Sequence, residues 1–398
     1  MTNVAADGDV GARIRALREA RGLQAQEFAA AIGLDPTIVS NIERGVRAVK
    51  TSELTKMARA LRVSPLAILD EASLLARMPI AARALGVDVA DSSVYEQLTG
   101  LAELHEVLSR GGIRSHPKLD DLPPVRDFYW KRAADLLAEW AFERFSEPTE
   151  ETDRFTELRD FIQGQLGIDV LVGSSDKEDL FGAAITDRDF PLIFVASGQL
   201  RTRALFTLAH ELGHVLTQDG FYYSADIDLE GKNERERLAN AFAAAVLMPE
   251  TLVRGMLDTG GRNARTIARM ILQFGVSFES LVYRLYNLRV IDEQHRRLLH
   301  EGGWGALIAQ FYADDETVGR LLSLKTAIVE PQPPLLLSGR MWEGFRRGVV
   351  SVRPLARLLG LDPEELLAKQ PDVTSSWSGA VVPGPEVDEE TLFSGDPV

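Results

Sequence analysis

Within Thr207-Leu208-Ala209-His210-Glu211-Leu212-Gly213-His214-Val215-Leu216, two histidines and a glutamate stand in the order His-Glu-x-x-His. In a helix, His210 and His214 lie at i and i+4, one turn apart on one face. Two imidazoles so placed can hold one metal ion, and Glu211 beside them can take a proton from water that the ion activates. Leu205, Leu208, Leu212, Val215 and Leu216 supply an apolar stripe that would bury such a helix in a core. Gly213 costs roughly 1 kcal/mol relative to Ala, and it makes sense where another segment must pass close by. Of six histidines in the chain, two fall here, in an apolar setting where an unpaired polar ring is costly.

A second helix follows at a suitable distance, from Glu234 to Pro249. Leu238, Ala241, Phe242, Ala245, Val246 and Met248 keep helical spacing, and Pro249 ends it. Near its start stand Glu234 and Glu236. A glutamate from this helix would complete a site of two histidines and one carboxylate, with the fourth position open for water. The same residues also fit as ordinary acidic groups at a helix start, where the dipole favours them.

The run RALFTLAHELGHVLT followed by ERLANAFAAAVLMP resembles the ImmA/IrrE family of bacterial metallopeptidases, over about residues 168–291. The resemblance implies His210, His214 and Glu236 as metal ligands, with Glu234 two residues off the family position. It implies Glu211 as the catalytic acid/base and Asn240 as a residue that supports the ligands or packs beside them. It further implies a regulatory endopeptidase acting on another protein, a helix-turn-helix transcriptional repressor cleaved in response to stress or a mobile element. Zinc is the default metal for two histidines and a carboxylate, and manganese suits the same N/O donors.

The elements that position these groups form only part of a chain of 398 residues, a length that suggests two or three cores. An apolar share of 45% and a charged share of 26% are those of a globular protein. There is no long apolar run, so no membrane span is expected, and the start Met1 to Val10 lacks the features of a signal peptide. The absence of cysteine removes thiolate ligands and nucleophiles; a cytoplasmic location is expected. A net charge of −15 argues against wholesale coating of nucleic acid. Residues 1–70, however, hold 10 Lys and Arg against 8 Asp and Glu.

That first segment reads as five short helices. In LQAQEFAAAIGLDPTIVSNIERG, one helix spans Gln26 to Ile32, Gly33-Leu34 makes the turn, and Asp35 caps a second helix with Pro36 at its first position. Two short amphipathic helices around a glycine turn are helix-turn-helix grammar, and the stretch resembles the Xre/Cro-type helix-turn-helix family. The resemblance implies DNA as a partner, with the second helix in the major groove. Thr37, Ser40 and Asn41 would then face bases, and Arg44, Arg47 and Lys50 would lie near phosphates. Ala25 replaces a frequent phosphate-contacting Gln, and the reading helix has no Arg or Lys before Arg44. Weak affinity, or affinity that depends on a homodimer spanning two half-sites, is therefore expected.

The rest is read more coarsely. GGIRSHPKLDDLPP (111–124) is a linker by its Gly, Pro and charge, with His116 a loop residue. Arg126 to Phe145 is an amphipathic helix with an aromatic stripe, and another helix spans about 152–165. Strand character follows at 168–172, 182–186 and 192–196, with DRDFP as a hairpin-like turn. The strand at 191–197 is expected to be the sheet edge along which an extended substrate aligns. In the loop 218–233, Tyr222 or Tyr223 could donate to a tetrahedral oxyanion. A further helix pair surrounds Phe274-Gly275-Val276-Ser277, and His295 and His300, at i and i+5, are no metal pair. EPQPPLLLSG (330–339) reads as a linker, and the acidic tail as disordered.

The expected fold class is α+β, mainly α with a small β-sheet. Its parts are an N-terminal five-helix domain (1–70), a helical linker region (71–124), a gluzincin-like metallopeptidase domain (125–291), a C-terminal helical region (292–370) and the tail (371–398). An alternative function keeps the same parts: a helix-turn-helix regulator or antitoxin whose peptidase-like domain only senses or binds a partner.

Overall fold

The computed structural model describes residues 8–368, apart from 21–22, 62–64, 70–92, 126–127, 146, 150–152, 177–179, 218–228 and 312–313. Tyr222, Tyr223 and the acidic tail lie outside the described residues.

Five helices open the chain: α1 Gly8–Ala20, α2 Ala25–Ile32, α3 Pro36–Glu43, α4 Thr51–Ala60 and α5 Pro65–Leu69. They close on their own core of Ile14, Leu17, Phe28, Ile32, Val39, Ile42, Leu54, Met57 and Leu61. Between α2 and α3, Gly33 adopts φ 69°, a left-handed conformation that costs any other residue energy. Asp35 then caps α3 by accepting from the Thr37 amide at 2.8 Å, and Pro36 occupies a position whose N–H has no helical partner anyway. One contact was not legible from local pattern. Arg18 of α1 forks onto Glu43 at the end of α3, at 2.6 and 3.0 Å, and both side chains are nearly buried.

Among the described residues three helices follow, α6 Ser93–Arg110, α7 Trp130–Phe142 and α8 Arg154–Gly164, and then a three-stranded sheet. The predicted helix 126–145 is shorter than expected, and Phe128 and Tyr129 before it are exposed; Leu137, Trp140 and, beyond the helix end, Phe145 are the buried members of its stripe. The strands are β1 Asp169–Gly173, β2 Gly182–Thr186 and β3 Pro191–Ala196, in spatial order β1-β3-β2. β3 pairs parallel to β1 and antiparallel to β2. The expectation that 191–197 forms the edge is therefore wrong: β3 is central and β2 is the edge. The physical reason is visible in the residues. Every position of β3 is buried, as a strand covered on both faces must be, whereas β2 buries only Ile185 fully.

The two helices with the candidate ligands come next, α9 Arg201–Thr217 and α10 Leu229–Leu247. α9 packs against the sheet, and α10 runs along both α9 and α7. Leu208, Leu212, Val215 and Leu216 are almost fully buried; at about 1.5–3 kcal/mol each, they outweigh the propensity cost of Gly213. That glycine lies where α10 crosses: a Cβ there would stand 3.1 Å from Ala239 Cα and 3.1 Å from the Phe242 ring.

Beyond them lie α11 Glu250–Gly260, α12 Ala264–Phe274, α13 Phe278–Asn287, α14 Glu293–Ala309, α15 Asp315–Thr326 and α16 Leu335–Arg346. The run 330–339, read as a linker, instead closes the far side of the sheet. Gln332 exchanges two backbone hydrogen bonds with Val172 of β1, both 2.9 Å, and α16 begins at Leu335. The run 111–124 is likewise strapped down, with the Lys118 amide donating to Leu166 O at 2.9 Å. Ser351 onward forms a separate unit with α17 Val352–Leu359 and α18 Pro363–Ala368. No helix among the described residues is long and apolar enough to cross a membrane.

Candidate metal centre

Helix periodicity brings His210 and His214 together on α9, and the crossing of α10 at Gly213 brings Glu236 to meet them. The His210 and His214 Nε2 atoms are 3.1 Å apart. Glu236 Oε2 lies 3.4 Å from His210 Nε2, and its Oε1 lies 3.6 Å from His214 Nε2. Among the described residues these three form the one group of His, Asp or Glu able to surround an ion. Glu234 is exposed and outside it; His116, His295 and His300 are also exposed and outside it.

The donor set fits a divalent cation on geometry as well as chemistry. Donors at about 2.0–2.1 Å around a tetrahedral ion lie about 3.3–3.4 Å from one another, and the three separations here bracket that value. Asn240, one helical turn beyond Glu236, has its Oδ1 3.1 Å from His210 Nδ1. With Nδ1–H donating to that oxygen, the Nε2 lone pair of His210 is left facing the centre. Asn240 thus orients the His210 ring.

Glu211 sits under the edge strand. A Cβ built on Gly182 at the start of β2 would collide with the Thr207 methyl group and stand 2.7 Å from Glu211 Oε1. Only a glycine lets β2 approach the carboxylate this closely. Burial raises the Glu211 pKa, and Glu236 adds to that, while His214 and His210 oppose it. A cation held by the neighbouring donors would pull it back toward the ionised form. The result is a carboxylate in a confined site that can both take and return a proton.

In the N-terminal helices, Thr37, Ser40, Asn41 and Arg44 follow i, i+3, i+4, i+7 spacing and share a face of α3 and its C-terminal cap. Thr37 is exposed, and Ser40 and Asn41 are half-buried. Arg44 is held by Asn41 Oδ1 at 2.7 Å. Arg47 is forked onto Glu53 at 2.8 and 3.2 Å, so its charge is shared inside the domain, while Lys50 is exposed just before α4. Sequence reading missed Gly182 and the Glu53 partner of Arg47. The signal for Gly182 was its place at the head of a small-residue strand, GAAIT.

Residues 163–286 match the family model described as the IrrE N-terminal-like domain, and residues 14–68 match the one described as helix-turn-helix. The chain is 35% identical over 104 residues to the radiation response metalloprotease IrrE of Deinococcus radiodurans, covering 25% of this chain and 32% of that protein. It is 33% identical over 104 residues to the radiation response metalloprotease IrrE of Deinococcus deserti, covering 25% and 37%. The chain thus spans about a third of the length of the curated relatives it matches. Among solved structures, it is similar to a Mycobacterium tuberculosis transcriptional regulator at 20% identity, with a TM-score of 0.29 over 47% of this chain and 51% of that one. It is also similar to Bacillus thuringiensis PlcR in complex with the peptide PapR7 and DNA at 12% identity, with a TM-score of 0.17 over 86% and 99%.

Proposed function

We propose that this chain is a DNA-associated, zinc-dependent regulatory endopeptidase that hydrolyses a peptide bond in another protein, a transcriptional repressor, in a stress or mobile-element response. The observation that carries the reading is the cluster of donors from His210, His214 and Glu236, the two Nε2 atoms 3.1 Å apart and one Glu236 oxygen 3.4 Å from the first and the other 3.6 Å from the second, beside a confined glutamate. When bound, a zinc ion supplies Lewis acidity toward a carbonyl and toward water; manganese would serve the same donors. Glu211 takes the proton from the attacking water and returns it to the leaving amine. Asn240 keeps the His210 ring oriented. Among the described residues no strand pairs with the outer side of β2, beside Glu211, and an extended substrate adds there as a further strand. Its small side chains, Gly182, Ala183 and Ala184, leave room for that strand.

The helix-turn-helix segment is proposed to deliver the enzyme to DNA through α3. Thr37, Ser40 and Asn41 would face base edges, and Arg44 and Lys50, helped by Arg47, would face phosphates. A cytoplasmic location and a homodimer on two half-sites belong to the same reading. The names of the Deinococcus relatives support metalloprotease activity under stress.

The test compares zinc-loaded wild type with Glu211→Gln on a mass-spectrometric peptide library, with metal content measured for both. We expect cleavage by wild type, loss of at least about 1,000-fold in the variant, and equal zinc. Equal cleavage by both proteins would remove Glu211 from the chemistry. No cleavage by zinc-loaded wild type would leave the chain as a regulator with a metal-binding module.

A further inference from the structure

Two helical turns before Glu211, on the same face of α9 as Thr207, stands Arg203. Its guanidinium lies over the ring of Phe181, 4.5 Å from the centroid. Phe181 immediately precedes the edge strand and is about a third exposed. Its carbonyl is pinned twice, by the Ala196 amide at 2.9 Å and by Nε2 of the buried Gln199 at 2.8 Å. The backbone that carries the ring is therefore held in place at the mouth of the strand that passes over Glu211.

Among the described residues the structure records no carboxylate paired with Arg203, and its recorded neighbour is the ring. Arg201, two residues earlier on the same helix, is by contrast committed to Asp153. A guanidinium laid on an aromatic face has its rotation restricted, while its in-plane N–H donors stay open for a forked bond to a carboxylate. In a chain of net charge −15, an acidic segment is not drawn in by the overall field. It needs a local cation.

Resting on the peptidase reading above, we propose that Arg203, supported by Phe181, is a specificity-determining residue that receives a substrate carboxylate. The peptides cleaved then carry Asp or Glu at one fixed position near the scissile bond. The guanidinium rests on Phe181, whose neighbour Gly182 stands against Glu211, so the acidic residue lies within a few residues of the cleaved bond.

The experiment maps cleavage of a proteome-derived peptide library by zinc-loaded full chain, wild type and two variants, Arg203→Glu and Arg203→Lys. Wild type should enrich Asp and Glu at a single position. For an exposed ion pair, kcat/KM should favour the acidic peptide over its Ala counterpart by about fivefold, mostly through KM, and the preference should shrink in 0.5 M salt. Arg203→Glu should invert the preference toward Lys and Arg at that position, which loss of structure alone would not do. Arg203→Lys should retain part of it. Cleavage that depends on Glu211 but shows no acidic enrichment, or enrichment that survives Arg203→Glu, would overturn this assignment and leave the peptidase standing. No cleavage by zinc-loaded wild type would overturn both.

Discussion

His105 offers a prediction whose size follows from its surroundings. Its ring is buried in α6, stacked on Phe190 at 4.3 Å between centroids. The Arg340 guanidinium of α16 donates to Nδ1 at 2.9 Å, and Ser109 Oγ lies 3.3 Å from Nε2. Protonating Nδ1 would break the bond from Arg340 and set two cations side by side. Burial first, and Arg340 second, lower the His105 pKa from 6.5 to about 4, with Asp187 opposing weakly. Between those values the unfolded chain binds a proton that the folded chain refuses, so stability is present above pH 6.5 and falls as pH drops toward 4. At about 1.4 kcal/mol per tenfold step in acidity, the loss from this one group is about 1.4 kcal/mol at pH 5.5, about 2 at pH 5 and about 3 below pH 4. His105→Gln keeps polar contacts and cannot titrate. Denaturant unfolding of wild type and variant at pH 7.5, 5.5 and 5.0 isolates the term, because every other titrating group cancels in the difference. An NMR titration of the His105 ring checks the folded pKa directly. Equal pH dependence in the two proteins, or a ring that titrates near 6.5, would refute the reasoning.

Three shorter predictions follow from contacts already described. Gly182→Ala should reduce peptide cleavage by at least about 100-fold with zinc content unchanged, because the new methyl collides with Thr207 and Glu211 rather than with the ligands; metal analysis beside a cleavage assay reads both. Asn240→Ala removes the acceptor for His210 Nδ1 and should weaken zinc binding by about 10- to 100-fold, measured by competition with a chromophoric chelator. Glu43→Ala removes the forked partner of a nearly buried Arg18, which keeps the Leu23 carbonyl and Glu19, and should destabilise the N-terminal helices by about 1–3 kcal/mol. Calorimetry of full-length variant and wild type would test it, and an unshifted transition would count against the pair.

What could be read from the residues, and what could not, divides by range of interaction. The His210–His214 spacing, the caps at Asp35 and Pro36, the need for Gly213 and the three strands all depend on neighbours within a few residues, and each has a local signature. Strand order does not. The choice of β3 as centre rests on pairing with β1 across an intervening segment, although its unbroken apolar run, Leu192 to Ala196, was a usable sign of burial on both faces. His105 gave no sign at all, since its partner Arg340 lies 235 residues away. The stretches 111–124 and 330–339 have linker composition, yet proline and glycine also suit a backbone that must run extended against a folded surface. Composition alone cannot separate those two uses.

The backbone exchange between Val172 and Gln332 bears on how the chain emerges from the ribosome. β1 and β3 are complete once residue 196 has been made, but the segment that covers the outer edge of β1 arrives roughly 140 residues later. At about 5–20 residues per second, the nascent sheet spends roughly 7 to 28 seconds with both margins bare, and bare margins invite pairing with other chains. A chain stopped after residue 326 would keep that state for good. A fragment confined to the segment matching the IrrE N-terminal-like domain, 163–286, would leave that margin of β1 uncovered, and is expected to aggregate more readily by light scattering than one extending through Arg346.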